Sequence, residues 1–177
     1  NFEIIFTGNI KRFNEDRGLN FIINSFLNQK MPEKFKLKII GWPLEQINEL
    51  RELVRKLKMN SRISIIDKLD RESTISSMQN ADIGLLINSS TDRHSLMHTS
   101  PLKYFEYLYA GLNIVAVDFP SHRSLPFSEN ISFFHENNEE GFIQALFESL
   151  SREGIQKDQL KSITVEERVN KLLLFIK

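Results

Sequence analysis

An α/β fold built on a parallel sheet with helices on both faces is predicted by three observations. Short runs rich in Ile, Val and Phe recur along the chain, stretches of helical period separate them, and the runs are apolar on nearly every residue rather than on alternate ones. Parallel neighbours need crossover connections, and helices are the economical way to bury both faces of such a sheet.

The elements follow in order. "FEIIFTG" (2–8) is the first strand. Leu19, Ile22, Ile23, Phe26 and Leu27 then recur at helical spacing. "FKLKIIG" (35–41) is the second strand, followed by a helix through Ile47, Leu50, Leu53, Val54 and Leu57. "RISIID" (62–67) precedes a weaker helical stretch over 71–80, and "DIGLLIN" (82–88) precedes a helix over 101–110. "NIVAVD" (113–118) and "ISFFH" (131–135) are the last strands, before a helix over 139–150 carrying Phe142, Ile143, Leu146, Phe147 and Leu150. Val165, Val169, Leu172, Leu173 and Ile176 suit a closing helix. In such a sheet ligands sit at the carboxyl ends of the strands, so the informative loops are 8–17, 41–44, 67–70, 88–100 and 118–122.

The 177 residues suit one domain, read here as spanning 1–177. Lys+Arg and Asp+Glu are equal at 23 each, so the basic excess of a nucleic-acid binder is missing. The chain has no cysteine, which excludes disulfides, thiolate metal sites and a cysteine nucleophile. No apolar run reaches the length of a membrane span. The first residue is not Met and the opening residues already read as strand, as expected of a piece of a longer chain.

Two stretches are candidates for ligand binding. In "TGNIKRFNEDRGL", Gly8 allows a sharp turn where the strand ends, and Arg17-Gly18 stands where a helix begins, a position that favours anions. Arg17 can fork onto phosphate oxygens; equally, it can pair with Asp16 or Glu15 in a solvated loop. In "TSPLKYFEYLYAG", Ser100 suits an N-cap, Pro101 the first helical position and Gly111 the C-terminal cap. Leu102, Phe105, Leu108 and Leu112 are expected to pack inward, with Lys103 and Glu106 together on another face. Glu106 is placed to accept both hydroxyls of a ribose while the N–H groups and Lys103 take phosphates; the competing reading is an exposed ion pair of a few tenths of a kcal/mol.

Other polar groups read more plainly. His94 and His98 lie four apart without a third ligand, so no metal site is predicted. Asp70 reads as a helix cap. Asp118 and His122-Arg123 follow the fifth strand and suit either a ligand contact or a cap, and the phenylalanines read as core.

In sequence order, "FTGNI…RGL", "LKIIGWP", "RISIID", "NADIGLLIN", "SPLKYFEYLYAGLNIVAVDFP" and "NEEGFIQALFESL" resemble the C-terminal half of GT-B glycosyltransferases, specifically the large group called glycosyl transferases group 1. The most specific block is "SPLKYFEYLYAGLNIVAVD", which is similar to that family's Ser-Pro-x-Lys-x-x-Glu-Tyr pattern. The resemblance implies a Rossmann-like domain that binds the nucleotide-diphosphate sugar donor. Residue by residue it implies Glu106 for the ribose, Gly8, Arg17, Ser100, Pro101, Leu102 and Lys103 for the diphosphate, and Lys68 and Leu69 for the base edge. His98 occupies the position where many relatives carry a glutamate that contacts the donor sugar. The family's Gly-Arg pair appears here as Gly8-Asn9, with Arg17 in place of the usual lysine and Lys11 or Arg12 as substitutes for the missing basic residue.

The resemblance further implies a parent enzyme that transfers sugar to a polysaccharide or lipid-linked glycan acceptor bound by an N-terminal half absent from this chain. It implies no cofactor and no metal, a cytoplasmic location, and contact with the inner membrane face only through the other half. The isolated chain is expected to bind nucleotide weakly and to transfer nothing. The alternative is a non-catalytic nucleotide-binding or protein-interaction domain of the same fold.

Overall fold

The computed structural model describes residues 1–12, 15–91, 93–98, 101–155, 157–164 and 166–167. Six strands, β1 (Phe2–Asn9), β4 (Phe35–Trp42), β5 (Ile63–Asp67), β6 (Ile83–Leu86), β7 (Asn113–Val117) and β8 (Ile131–Phe134), form one parallel sheet. Their order is β5-β4-β1-β6-β7-β8. The chain first builds outward from β1 through β4 to β5, then returns to the other side of β1 with β6. This is the Rossmann order, and its reversal between β1 and β6 leaves a crevice at their carboxyl ends.

Alternation along each buried strand divides the core in two. Ile4, Phe6, Ile39, Leu85 and Val115 face one layer, made by α1 (Leu19–Ser25), α2 (Leu44–Lys56) and α7 (Glu139–Ser151). Ile5, Ile40, Leu86, Ile114 and Ala116 face the other, made by α3 (Arg71–Gln79) and α5 (Leu102–Ala110). Burial of both faces explains why the strands read as continuous apolar runs.

Several expectations are corrected. A two-residue hairpin, β2 (Lys11–Arg12) with β3 (Glu15–Asp16), stands where a loop was expected, and short helices α4 (Arg93–Met97) and α6 (Pro120–Arg123) occupy two further loops. Of the apolar positions expected on α1 and α7, Leu27 falls just past the end of α1 and is exposed, and Phe147 on α7 is exposed too. On α5 the inward face is Tyr104, Tyr107 and Leu108, whereas Leu102 is 80% exposed and Phe105 only partly buried. The tyrosines can be buried because their hydroxyls are satisfied: Tyr104 donates to the Pro126 carbonyl, and Tyr107 accepts from the Thr7 N–H at 3.1 Å. Tyr107 also needs Gly84 beneath it, since a β-carbon there would stand 2.5 Å from its ring. Further along, α8 (Lys157–Leu160) is followed by a short 3-10 turn, and Val165, Val169, Leu172, Leu173 and Ile176, the positions expected to carry a closing helix, lie outside the described residues.

Beyond β7, the Asp118 carboxylate accepts two bonds from Arg123, at 2.6 and 2.9 Å, which hold it below the usual carboxylate range. His122 is fully buried, and its Nδ1 donates to the Val117 carbonyl at 2.8 Å. Burial, reinforced by the charge of Arg17, depresses its pKa from the ordinary 6.5. The unfolded chain therefore takes up this proton before the folded one, so His122 costs stability as pH falls below about 6.5. Thermal melts between about pH 8 and pH 5 are expected to show that loss and His122→Gln to flatten it; parallel profiles would contradict the assignment.

Candidate functional site

A cleft of about 550 Å³ opens at the carboxyl ends of β1 and β4. Its walls come from the loop after β5, the first turns of α3 and α5, and Arg17 ahead of α1. The structure brings Gly8, Arg17, Lys68, Leu69, Pro101, Leu102, Lys103 and Glu106 together around this space. Of the other residues singled out in the sequence, Ser100 lies outside the described residues, and His98 is exposed at the end of α4 and is not among the residues lining the cleft. Lys11 pairs with Glu49 on α2 at 3.1 Å and does not line it either.

Lys103 is the unusual member. It does not pair with Glu106: its side chain turns inward, placing Nζ 3.8 Å from the centroid of the Phe6 ring, buried and without a hydrogen-bond partner among the described residues. Gly8 makes this possible. It sits at φ 126°, and a β-carbon there would stand 2.8 Å from Lys103 Nζ and 3.2 Å from Cε. Burial, and then repulsion from Arg17, hold the Lys103 pKa well below the ordinary lysine value, against a smaller pull from Glu106. The aromatic face offers some attraction, but a buried ammonium with no acceptor is an unanswered charge.

Arg17 is fixed across the switch point of the sheet. Its Nε donates to Asn88 Oδ1 at 2.8 Å, Nη1 to the Asn9 carbonyl at 3.2 Å and Nη2 to the Ile87 carbonyl at 3.4 Å. It thereby ties the end of β1 to the end of β6, with its guanidinium carbon 5.7 Å from the same Phe6 ring. Asn88, a buried residue that no sequence motif marked, sets the direction of this side chain. Two cations thus share one aromatic floor, an arrangement that favours an anion above it.

The helix termini sharpen the position of that anion. At α1 the Asp16 carboxyl group faces the backbone N–H groups of Gly18, Leu19 and Asn20, so the protein places an acidic group of its own at that helix start. At α5 the N-cap is Pro101 rather than Ser100, and no side chain of that residue caps the helix. The N–H groups of Leu102 and Lys103, in the first turn of α5, have no intrahelical acceptor, and both residues line the cleft. Glu106 follows one turn later, exposed on the cleft wall. Leu102 does not pack inward as expected, because it sits on the rim of the same cleft.

The far wall is less polar. Lys68 and Leu69 leave β5, Asp70 caps α3 by accepting from the Ser73 N–H at 2.8 Å, and Ile75 and Met78 line the wall behind them. Trp42, Arg71 and Thr74 also line the cleft and were not foreseen in the sequence. An aromatic residue at the carboxyl end of a buried strand was the available signal for Trp42. Among the described residues no group of three or more His, Cys, Asp or Glu side chains could hold a metal ion, and no helix is long and apolar enough to cross a membrane.

A family model described as glycosyl transferases group 1 matches residues 1–152. No curated protein sequence matches significantly. Among solved structures, the C-terminal domain of a glycosyl transferase group 1 family protein (LpcC) from Francisella tularensis is similar at 18% identity and TM-score 0.60, over 85% of this chain and 76% of that one. WaaG, a glycosyltransferase involved in lipopolysaccharide biosynthesis, is similar at 15% identity and TM-score 0.58, over 85% of this chain and 38% of that one. An α,α-trehalose 6-phosphate synthase from Burkholderia multivorans follows at 12% identity and TM-score 0.59, over 86% and 35%. At these identities the likeness is one of fold. The chain spans little more than a third of the length of the last two proteins.

Proposed function

Since the chain belongs to the glycosyl transferases group 1 family, we propose that its cleft holds the nucleoside diphosphate of a nucleotide-diphosphate sugar donor. The observation that carries the reading is the buried Lys103 amino group, which has no hydrogen-bond partner among the described residues, beside Arg17 at a helix N-terminus whose N-cap residue Pro101 offers no side-chain cap. A diphosphate supplies the missing counter-charge.

In this reading the diphosphate lies over Gly8. It accepts from the N–H groups of Leu102 and Lys103, with Ser100 and Pro101 assigned to the same diphosphate, and is neutralised by Lys103 and Arg17. Glu106 accepts the ribose hydroxyls, Lys68 and Leu69 meet the edge of the base, and His98 is assigned to the donor sugar. During transfer, negative charge grows on the leaving diphosphate as the bond to the sugar breaks, and both cations and the helix terminus stabilise it. We assign this counter-charge to protein groups, with no metal and no cofactor. The parent protein would pass the sugar to a polysaccharide or lipid-linked glycan held by a separate N-terminal half. It would work in the cytoplasm at the inner membrane face, and the present chain alone would bind donor weakly and transfer nothing.

Calorimetric titration with UDP, GDP and ADP tests the reading. Loss of charge-assisted bonds predicts that Glu106→Ala weakens the best ligand by roughly 10- to 100-fold. The 2′,3′-dideoxy nucleotide should be weakened as much on the unmodified chain and hardly further on the variant. Equal affinity of the chain and its Glu106→Ala variant for the ribonucleotide would sink the ribose assignment. Absence of binding at millimolar concentration would favour an interaction module instead.

A further inference from the structure

We propose that Trp42 is the platform on which the nucleobase stacks, an inference that rests on reading the cleft as a nucleoside-diphosphate site. Side chains alternate along β4, so Trp42 shares the face of Ile40. Ile40 is buried in the layer beneath α3 and α5, but Trp42, two residues on, stands past the end of that cover. Its indole consequently lines the cleft and is 42% exposed, a large apolar surface left in water.

The backbone holds the indole in place. Trp42 is in register with Asn9 at the end of β1, and its carbonyl accepts from the Ile10 N–H at 3.0 Å. One ring edge borders the floor assigned to the diphosphate, for a β-carbon on Gly8 would lie 3.9 Å from Trp42 Cη2. Lys68 Nζ stands over the indole, 5.5 Å from the ring centroid, and belongs to the segment assigned to the base edge. The aromatic surface therefore adjoins both the diphosphate floor and the base-edge loop. Stacking accepts any base, so Trp42 contributes affinity and leaves base choice to the Lys68–Leu69 segment.

Trp42 is the single tryptophan of the chain, so its emission reports on this position alone. The full chain is titrated with UDP, GDP and ADP, and with the base-free probes pyrophosphate and ribose 5-phosphate, following fluorescence and calorimetry together. Nucleoside diphosphates are expected to change the emission over the range in which heat reports binding, while pyrophosphate binds without doing so. Trp42→Leu is expected to weaken nucleoside diphosphates about tenfold or more with pyrophosphate affinity kept, and Trp42→Phe to retain most of the affinity. Nucleotide binding with unchanged emission, an equal response to pyrophosphate, or unaltered nucleotide affinity in Trp42→Leu would overturn the platform and leave the site. Failure of both nucleotides and pyrophosphate to bind would remove the site itself and the platform with it.

Discussion

Lys103→Met is expected to weaken nucleoside-diphosphate binding by roughly a hundredfold while making the folded chain more stable. The two effects share one cause. In the unfolded chain the lysine titrates near 10.5, and in the fold burial holds it well below that value. Between these values the folded chain binds fewer protons than the unfolded one, so the cost of Lys103 is fully present at lower pH and recedes as pH rises through the window. Methionine fills similar space on Phe6 with no charge to desolvate. A gain of about 1 kcal/mol would raise the melting temperature by roughly 2–4 °C, more at acidic than at alkaline pH.

A bound diphosphate reverses the electrostatics by placing negative charge beside the ammonium, which raises its pKa. Binding is therefore accompanied by proton uptake, and affinity falls as pH rises from the depressed free-state value toward the bound one. Calorimetry in two buffers of different ionisation enthalpy reads that proton directly. A variant that binds as tightly as the unmodified chain, or is less stable at every pH, would contradict this account of Lys103.

Gly84→Ala is expected to cost about 3 kcal/mol, lowering the melting temperature by roughly 6–12 °C. The new β-carbon would meet three carbons of the Tyr107 ring at 2.5, 2.6 and 3.0 Å. Neither side can yield easily. Gly84 is registered between Ile5 and Ile114 in the middle of the sheet, and Tyr107 is fully buried with its hydroxyl held by the Thr7 N–H. Relief must come from moving α5, which carries Lys103 and Glu106 into the cleft, so nucleotide affinity should fall together with stability. Gly154→Ala, where an added carbon meets nothing within 4 Å, is the matched control. Equal melting temperatures for the two variants would show that the packing beneath α5 is looser than described.

The sheet was legible in the sequence because burial on two faces demands apolar residues at nearly every position of the central strands, a signal confined to each strand. Lys103 was harder to read. Its spacing from Glu106 allowed an ion pair, and its inward turn depends on Gly8 lacking a side chain, a contact between distant segments that no local pattern contains. The face of α5 was misread for a related reason. Leu108 and Leu112 are core as expected, but Leu102 falls on the rim of the cleft, and the inward places that the apolar spacing did not mark go to Tyr104 and Tyr107, whose hydroxyls find partners within the fold. Trp42 escaped notice because the last residue of a strand can end under the helical layer or beyond it, and only the packed structure shows where that cover stops.

A crystal structure of the chain with the tightest-binding nucleoside diphosphate decides whether the cleft is a nucleotide site. The diphosphate is expected over Gly8, within hydrogen-bonding distance of Lys103 Nζ and of the first N–H groups of α5, with the ribose hydroxyls on Glu106. A nucleotide held elsewhere on the molecule, or lying in the cleft with Lys103 Nζ still unpartnered, would contradict it.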